Sequence, residues 1–215
     1  MAKTRQLQAK YFPTTKPLPG VPELLERLKA SNPKVLMALA TSSHAANFRI
    51  KTGHLEDLFS VFKPDNRILG DDLRILPGRG KPAPDIYLLA LTTINDSLRA
   101  TGQSEIHPEE CLVFEDSVPG VEAGRRAGMQ VVWCPHPGLL HEYRGQEKEV
   151  LAGLTGAHKD DLDGQAPVEP QDAEIRPHAR PIGKSGEIDD GWGRFLPTLE
   201  EFPFEWYGIQ SQASL

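Results

Sequence analysis

The stretch from Cys111 to Trp133 limits the fold of this chain more than any other part of the sequence. It opens with an unbroken apolar run, Cys111 to Phe114, in which no polar residue alternates. Such a run is typical of a parallel strand that is buried on both faces. Ser117 can cap a following helix, and Pro119 suits its first turn because the missing N–H has no partner there. Met129 to Trp133 then predicts the next buried strand, so the stretch predicts a β-α-β unit.

The predicted helix of this unit carries small residues that let it lie close to a sheet. These residues are Gly120, Ala123, Gly124 and Ala127. Gly128 directly after them suits the left-handed conformation that often ends a helix. The pattern therefore predicts an α/β fold with a parallel sheet.

Two acids, Glu115 and Asp116, follow the first of these strands directly. They stand at the carboxyl end of a strand, which is where open α/β sheets bind ligands. Paired carboxylates there suit Mg²⁺, which usually keeps several waters and adds a phosphate oxygen. For a Glu-Asp pair taken alone, a solvated acidic turn is the competing interpretation.

A second polar cluster follows an upstream apolar run. Val35 to Ala40 predicts a buried strand that ends at Thr41, and Ser42 or Ser43 can cap a helix over about His44 to Leu58. A hydroxyl at a strand end, followed by the free N–H groups of a helix start, makes an anion site. The alternative is that the three hydroxyls only cap the helix.

A third cluster contains a lysine in a stiff loop. The string from Gly78 to Lys81 is not a nucleotide P-loop, because its glycine spacing differs and Pro82 stands where Ser or Thr is needed. The compact ammonium of Lys81 can still balance charge beside a phosphate; the alternative is a surface lysine. Pro82 and Pro84 stiffen the loop and start a helix that is expected to run to about Leu98.

The three clusters supply a hydroxyl, a lysine and a carboxylate pair, in that order. Their strings, Ala38 to Ser43, Gly80 to Asp85 and Glu115 to Ala123, resemble those of the haloacid dehalogenase-like hydrolases. Within that family they resemble the phosphatases and phosphomutases of small molecules, over roughly Pro19 to Pro135. The resemblance implies a Rossmann-like three-layer parallel sheet and Mg²⁺-dependent hydrolysis of small phosphomonoesters. A sugar-phosphate mutase has the same motifs and remains an alternative.

The resemblance also implies roles for individual residues. Thr41 matches the second motif of the family and is implied to bind phosphate, with Ser42 beside it. Lys81 matches the third motif and is implied to neutralise charge, so Thr41 and Lys81 are the implied catalytic residues. Glu115 and Asp116 match the fourth motif and are implied to hold Mg²⁺.

The first motif of that family, Asp-x-Asp, is not found before Thr41. In the family it ends the central strand of the sheet; its first Asp attacks the phosphorus, and its second acts as acid and base. The string Asp161-Leu162-Asp163 has this form, but Gly156 to Asp160 before it cannot make a buried strand. We therefore expect a solvated acidic loop there rather than a circularly permuted site.

Without that motif, a truncated chain that is inactive as a phosphatase is one expectation. A non-catalytic protein that keeps the fold to bind phosphate or metal is the alternative to an enzyme. The absent central strand implies either a fragment of a longer gene product or another segment in its place.

Composition and the resemblance divide the chain into five regions. Residues 1–18 are expected to be a remnant of the helical cap domain with a linker, and residues 19–138 are expected to form the core. Residues 139–154 are expected to form a surface helix and residues 155–190 a mobile insertion. Residues 191–215 are expected to be an aromatic segment that returns to the core. In the last region, Leu196 to Gly208 resembles the C-terminal end of pseudouridine-5′-phosphatase-like members.

Charge and cysteine usage limit the possible partners and location. The 215 residues carry a net charge of −6, which argues against nucleic acid and leaves a small phosphorylated metabolite as the expected partner. Cys111 and Cys134 lie in or beside predicted buried strands, as core thiols of a reducing compartment do. With no apolar signal segment or membrane-length run, we expect a cytoplasmic protein. The sequence gives no expectation for the oligomeric state.

Overall fold

The structure, a computed structural model, describes residues 2–155 and 182–210. Helices alternate with strands, and every strand pair is parallel, which confirms the predicted α/β class. The helices are α1 (Ala2–Tyr11), α2 (Val21–Lys29), α3 (Ala45–Thr52), α4 (Glu56–Phe59), α5 (Asp85–Ala100), α6 (Val118–Arg126), α7 (Pro137–Glu142) and α8 (Glu147–Ala152). The strands are β1 (Leu39–Ala40), β2 (Arg67–Ile68), β3 (Leu112–Glu115), β4 (Gln130–Trp133) and β5 (Gly193–Phe195).

The described residues form two compact units, and the division falls within α5. The first unit comprises 2–74, 89–103 and 197–210, and the second comprises 75–88, 104–155 and 182–196. Strands β1 and β2 pair in the first unit, and β3, β4 and β5 form a sheet in that order in the second. None of the five strands in the described ranges ends in Asp-x-Asp.

The aromatic C-terminal segment packs on α2 in the first unit. The N–H of Leu199 donates to the carbonyl of Pro19 at 3.2 Å, and the guanidinium of Arg27 lies 3.8 Å from the centre of the Phe204 ring. Phe202 packs edge-to-face against Phe204, with ring centres 4.8 Å apart. Its upstream part is β5, which pairs with β4. The segment thus contains a strand and, at Phe204–Tyr207, a short 3-10 helix.

In the second unit, α6 lies directly on the three-stranded sheet. Val121 and Ala123 on the helix have no exposed surface, and Val132 of the sheet is equally buried. A side chain added at Gly124 would come within 2.8 Å of Val131, so glycine sets the close approach of helix and sheet. Gly128 ends the helix with a φ of +73°, as predicted.

Three predicted elements are shorter than expected. The strand predicted over Val35 to Ala40 is wrong in length, because β1 pairs only with the two residues of β2 and Leu36 is 38% exposed. The single helix predicted over His44 to Leu58 is two helices, since Gly53 ends α3. The predicted surface helix is also two helices, because the left-handed Gly145 lies between α7 and α8.

Both cysteines are free thiols, as predicted. Cys134 is buried, with 4% of its surface exposed. Burial, together with the neighbouring charges of Glu110 and Glu109, raises the pKa of Cys111 to about 12. Both cysteines therefore contribute to packing rather than to thiolate chemistry. No helix within the described ranges is long and apolar enough to span a membrane.

Most of the predicted mobile insertion, residues 156–181, lies outside the described part of the chain. The described remainder, 182–190, is fixed to α6 by a buried ion pair. The guanidinium of Arg125 has no exposed surface and donates to Asp190 and to the carbonyl of Lys184, the latter at 2.7 Å. Its Nε and Nη1 atoms are buried and find no acceptor among the described residues. The ion pair with Asp190 is therefore the main compensation for burying this charge.

We expect Asp190→Asn to lower the free energy of unfolding by about 3–5 kcal/mol, because it leaves a buried cation without its counter-charge. The exposed pair of Lys148 and Asp189 provides the control, and Lys148→Met should change the stability little. Urea unfolding followed by circular dichroism measures both variants. Equal, small effects of the two substitutions would contradict the role given to the buried pair.

Candidate functional site

The carboxylate of Glu115 is the centre of a buried hydrogen-bond network in the second unit. Lys81 and the hydroxyl of Tyr87 both donate to its Oε1 atom. The side chains of Lys81 and Glu115 are only 8% and 6% exposed. A buried charge is tolerated when it is paired and hydrogen-bonded, and both conditions are met here. The structure therefore brings two predicted site residues, Lys81 and Glu115, into direct contact.

The second oxygen of Glu115 is held at the start of α6. The hydroxyl of Ser117 donates to Oε2 at 2.8 Å, and the N–H of Ser117 donates to it at 3.3 Å. Ser117 also accepts from the N–H of Gly120 at 3.2 Å, so it is the helix cap that the sequence predicts. A Cβ atom at Gly120 would collide with the carboxylate of Glu115. Glycine at this position therefore leaves the space that Glu115 occupies.

Tyr87 is a member of this network that sequence reasoning missed. It lies in the first turn of α5, is 7% exposed, and has the ammonium of Lys81 4.9 Å from the centre of its ring. Burial raises the pKa of Tyr87 well above its ordinary value, and the charges of Glu115 and Asp116 raise it further. The hydroxyl therefore keeps its proton and serves as a donor to Glu115.

The neighbouring acid, Asp116, is exposed, in contrast to Glu115. Glu115 is the last residue of β3 and is buried, whereas Asp116 follows the strand in the bend before α6. The two oxygens of Glu115 already accept four hydrogen bonds, which is about the capacity of a carboxylate. Glu115 therefore has its lone pairs engaged, and Asp116 is the exposed acid of the pair. Within the described residues, no group of three or more His, Cys, Asp or Glu side chains is placed to hold a metal ion.

Thr41 and Ser42 lie in the first unit, on the turn between β1 and α3. The N–H of Thr41 donates to the carbonyl of Ile68 at 3.0 Å, which fixes the start of the turn on β2. The hydroxyl of Thr41 accepts from the N–H of Ser43 at 3.2 Å. Within the described part of the chain, the N–H groups of Ser42 and His44 donate to no acceptor. The turn therefore offers the backbone donors that the anion-site prediction requires.

The expectation that Ser42 or Ser43 caps α3 is wrong. The N-cap residue is His44, and its side chain makes no capping bond. The carboxylate of Asp71 instead accepts from the N–H of Ala45, at 3.0 and 3.1 Å. Gly70 allows this approach, because a Cβ atom there would collide with the backbone of Ser42. The cap comes from the segment after β2, which local sequence signals do not reveal.

The predicted site residues are thus distributed over both units. Lys81, Glu115 and Asp116 belong to the second unit, and Thr41 and Ser42 belong to the first. The convergence of the Thr41 turn with Lys81 and Asp116 on one phosphate stays a prediction.

Several proteins of known family are similar to this chain. A probable pseudouridine-5′-phosphatase of Saccharomyces cerevisiae is 44% identical over 68% of this chain and 58% of its own length. A probable pseudouridine-5′-phosphatase of Drosophila melanogaster is 41% identical over 64% of this chain and 54% of its own length. A phosphorylated carbohydrates phosphatase of Thermotoga maritima is 33% identical over 66% of this chain and 55% of its own length. The chain thus spans little more than half the length of these relatives.

The family model for haloacid dehalogenase-like hydrolases matches residues 3–128. This range includes the Thr41 turn, the Lys81 loop and the network around Glu115. The match covers more than half of the chain and agrees with the parallel α/β architecture of the described residues. The chain therefore belongs to the haloacid dehalogenase-like hydrolases.

Proposed function

We propose that this protein acts on the phosphate group of small phosphorylated metabolites, as a phosphatase that depends on Mg²⁺. The observation that carries the proposal is the buried network in which Glu115 fixes Lys81, with the exposed Asp116 next to Glu115 in the sequence. A fixed ammonium next to a carboxylate at a strand end suits a phosphoryl group and a hard cation. The relatives named as a probable pseudouridine-5′-phosphatase and as a phosphorylated carbohydrates phosphatase support this substrate class.

Each predicted residue has a distinct role in this proposal. The Thr41 turn, with Ser42, would hold phosphate oxygens through its hydroxyl and free N–H groups. Lys81 would balance the charge of the transferring group. Asp116 would hold Mg²⁺, which when bound polarises a phosphoryl oxygen as a Lewis acid.

Glu115 has a supporting role in the proposal. It orients Lys81 and shields that charge from water, because Glu115, Lys81 and Tyr87 are all nearly buried. Its direct contact with Mg²⁺, predicted from the sequence, stays a prediction. A metal titration of Glu115→Gln tests it, since loss of Mg²⁺ binding with the fold retained would show that Glu115 is a ligand.

A second function is favoured by one specific observation: no strand within the described ranges ends in the Asp-x-Asp that supplies the nucleophile of the resembled enzymes. In enzymes with a covalent nucleophile, removing that residue costs on the order of a millionfold in rate. A non-catalytic protein of this family would bind phosphate and Mg²⁺ without turnover. A mutase, the third candidate, would convert a sugar phosphate into an isomer, so product analysis distinguishes it.

If the chain has the proposed phosphatase activity, it hydrolyses p-nitrophenyl phosphate in the presence of Mg²⁺, and we expect Asp116→Ala to lower that rate at least about 100-fold. A metal contact to a phosphoryl oxygen is worth several kcal/mol, and 100-fold corresponds to about 2.7 kcal/mol. Glu142→Ala, which removes an exposed acid of α7 in the same unit, is the control and should leave the rate unchanged. Chelation of Mg²⁺ should have the same effect as Asp116→Ala.

The outcomes of this assay separate the candidates. Turnover that Asp116→Ala leaves intact would remove the proposed metal role of that residue. Phosphate binding without turnover would establish the non-catalytic function instead. Failure of both binding and turnover would contradict both functions.

We also expect Tyr87→Phe to lower the free energy of unfolding by about 1.5–3 kcal/mol, the usual contribution of a hydrogen bond to a charged group. The substitution removes only the hydroxyl that donates to Glu115. Tyr143→Phe is the matched control, because the hydroxyl of Tyr143 makes no hydrogen bond within the described residues. Thermal unfolding of both variants provides the comparison, and equal stabilities would contradict the network.

A further inference from the structure

Lys51 is a half-buried cation in the last turn of α3, close to the Thr41 turn. Its ammonium donates to the hydroxyl of Ser43 at 3.0 Å and lies 4.6 Å from the centre of the Phe12 ring. Among the described residues, no carboxylate pairs with it, in contrast to Lys81, which pairs with Glu115. A lysine that leaves bulk water without a counter-charge is costly, so the missing counter-charge calls for an explanation.

The position of this ammonium follows from helix geometry. Side chains of an α-helix lean towards its N-terminus, so a long side chain in the last turn of α3 can reach back to the turn before the helix. Two contacts keep Lys51 in that direction. The hydroxyl of Thr15 donates to the carbonyl of Lys51 at 3.2 Å, and the ring of Phe12 lies beneath the ammonium. The charge is thereby held at Ser43 instead of extending into solvent.

The other polar and charged groups of the turn explain why an anion bound there would need the positive charge of Lys51. Asp71 already takes the N–H of Ala45, so the first donor of α3 is occupied by a carboxylate. The N–H groups of Ser42 and His44 remain without acceptors within the described ranges. The turn thus combines free backbone donors with one nearby negative charge, and Lys51 supplies the compensating positive charge.

We propose that Lys51 is a binding residue for the phosphate group, supplying the positive charge that lets the turn from Thr41 to His44 hold an oxyanion. The inference rests on the proposed function, because it takes phosphate as the ligand of this turn. Lys51 acts on the oxyanion through its positive charge, and its hydrogen bond to the hydroxyl of Ser43 holds that charge at the turn. The ligand class is a phosphate dianion or the phosphoryl group of a small phosphomonoester.

Titration of the full chain with inorganic phosphate, followed by ¹⁵N amide spectra, tests the inference. Phosphate should shift the amide signals of Ser42 and His44, and Lys51→Met should weaken its binding about tenfold, as removal of one charge near a dianion does. Lys51→Arg keeps the charge and should bind within about threefold of the parent chain. Ser43→Ala keeps the charge as well, so it should weaken binding much less than Lys51→Met.

Lys63→Met is the matched control, because Lys63 is an exposed lysine of the same unit and has no ion pair within the described residues. If Lys51→Met binds phosphate as tightly as Lys63→Met does, the inference is overturned and the proposed function stands. If the parent chain shows no saturable shifts at Ser42 and His44, both the inference and the phosphate role of this turn are overturned. Should Lys51→Met fail to fold, Lys51→Gln replaces it with the same two outcomes.

Discussion

The burial of one carboxylate, that of Glu115, is the interaction on which the described site of the second unit depends. Four hydrogen bonds compensate it, and their donors come from three separate segments: the loop of Lys81, the first turn of α5 with Tyr87, and the cap of α6 at Ser117. A buried ion that loses its partner typically costs several kcal/mol, so these segments are stabilised together. The loop of Lys81 and the end of β3 are therefore joined by a direct hydrogen bond, although Lys81 and Glu115 are more than 30 residues apart.

The burial of Glu115 also distinguishes it from the adjacent acid, Asp116. Glu115, the last residue of β3, faces the buried network, while Asp116, which follows the strand, is exposed to solvent. The sequence presents them as an equivalent pair, and carboxylate oxygens are ligands that suit Mg²⁺. The structure shows that the first acid is engaged in orienting a lysine. The exposed acid at the end of β3 is therefore Asp116.

Local signals predicted the central part of the fold, and tertiary contacts determined what those signals missed. The apolar run of β3, the cap at Ser117 and the end of α6 at Gly128 were all predicted, because each depends on neighbours within a few residues. The donor Tyr87 and the cap Asp71 lie 28 and 26 residues from their partners, and no local pattern specifies such pairs. Among the predicted site residues, the Lys81–Glu115 contact is likewise a long-range pair, and only the family resemblance indicated it.

The charges of the two lysines indicate how an anion is attracted to a chain of net charge −6. The field of Lys81 is largely cancelled at a distance by Glu115, so its charge acts only at close range. Lys51 has no such partner among the described residues, and its field extends further before salt screens it. An ammonium that is already paired can fix the geometry of a phosphoryl group, whereas an unpaired one can supply net binding energy. This difference in electrostatics, rather than the difference in motif membership, is the reason why we propose a role in phosphate affinity for Lys51 and a role in orientation for Lys81.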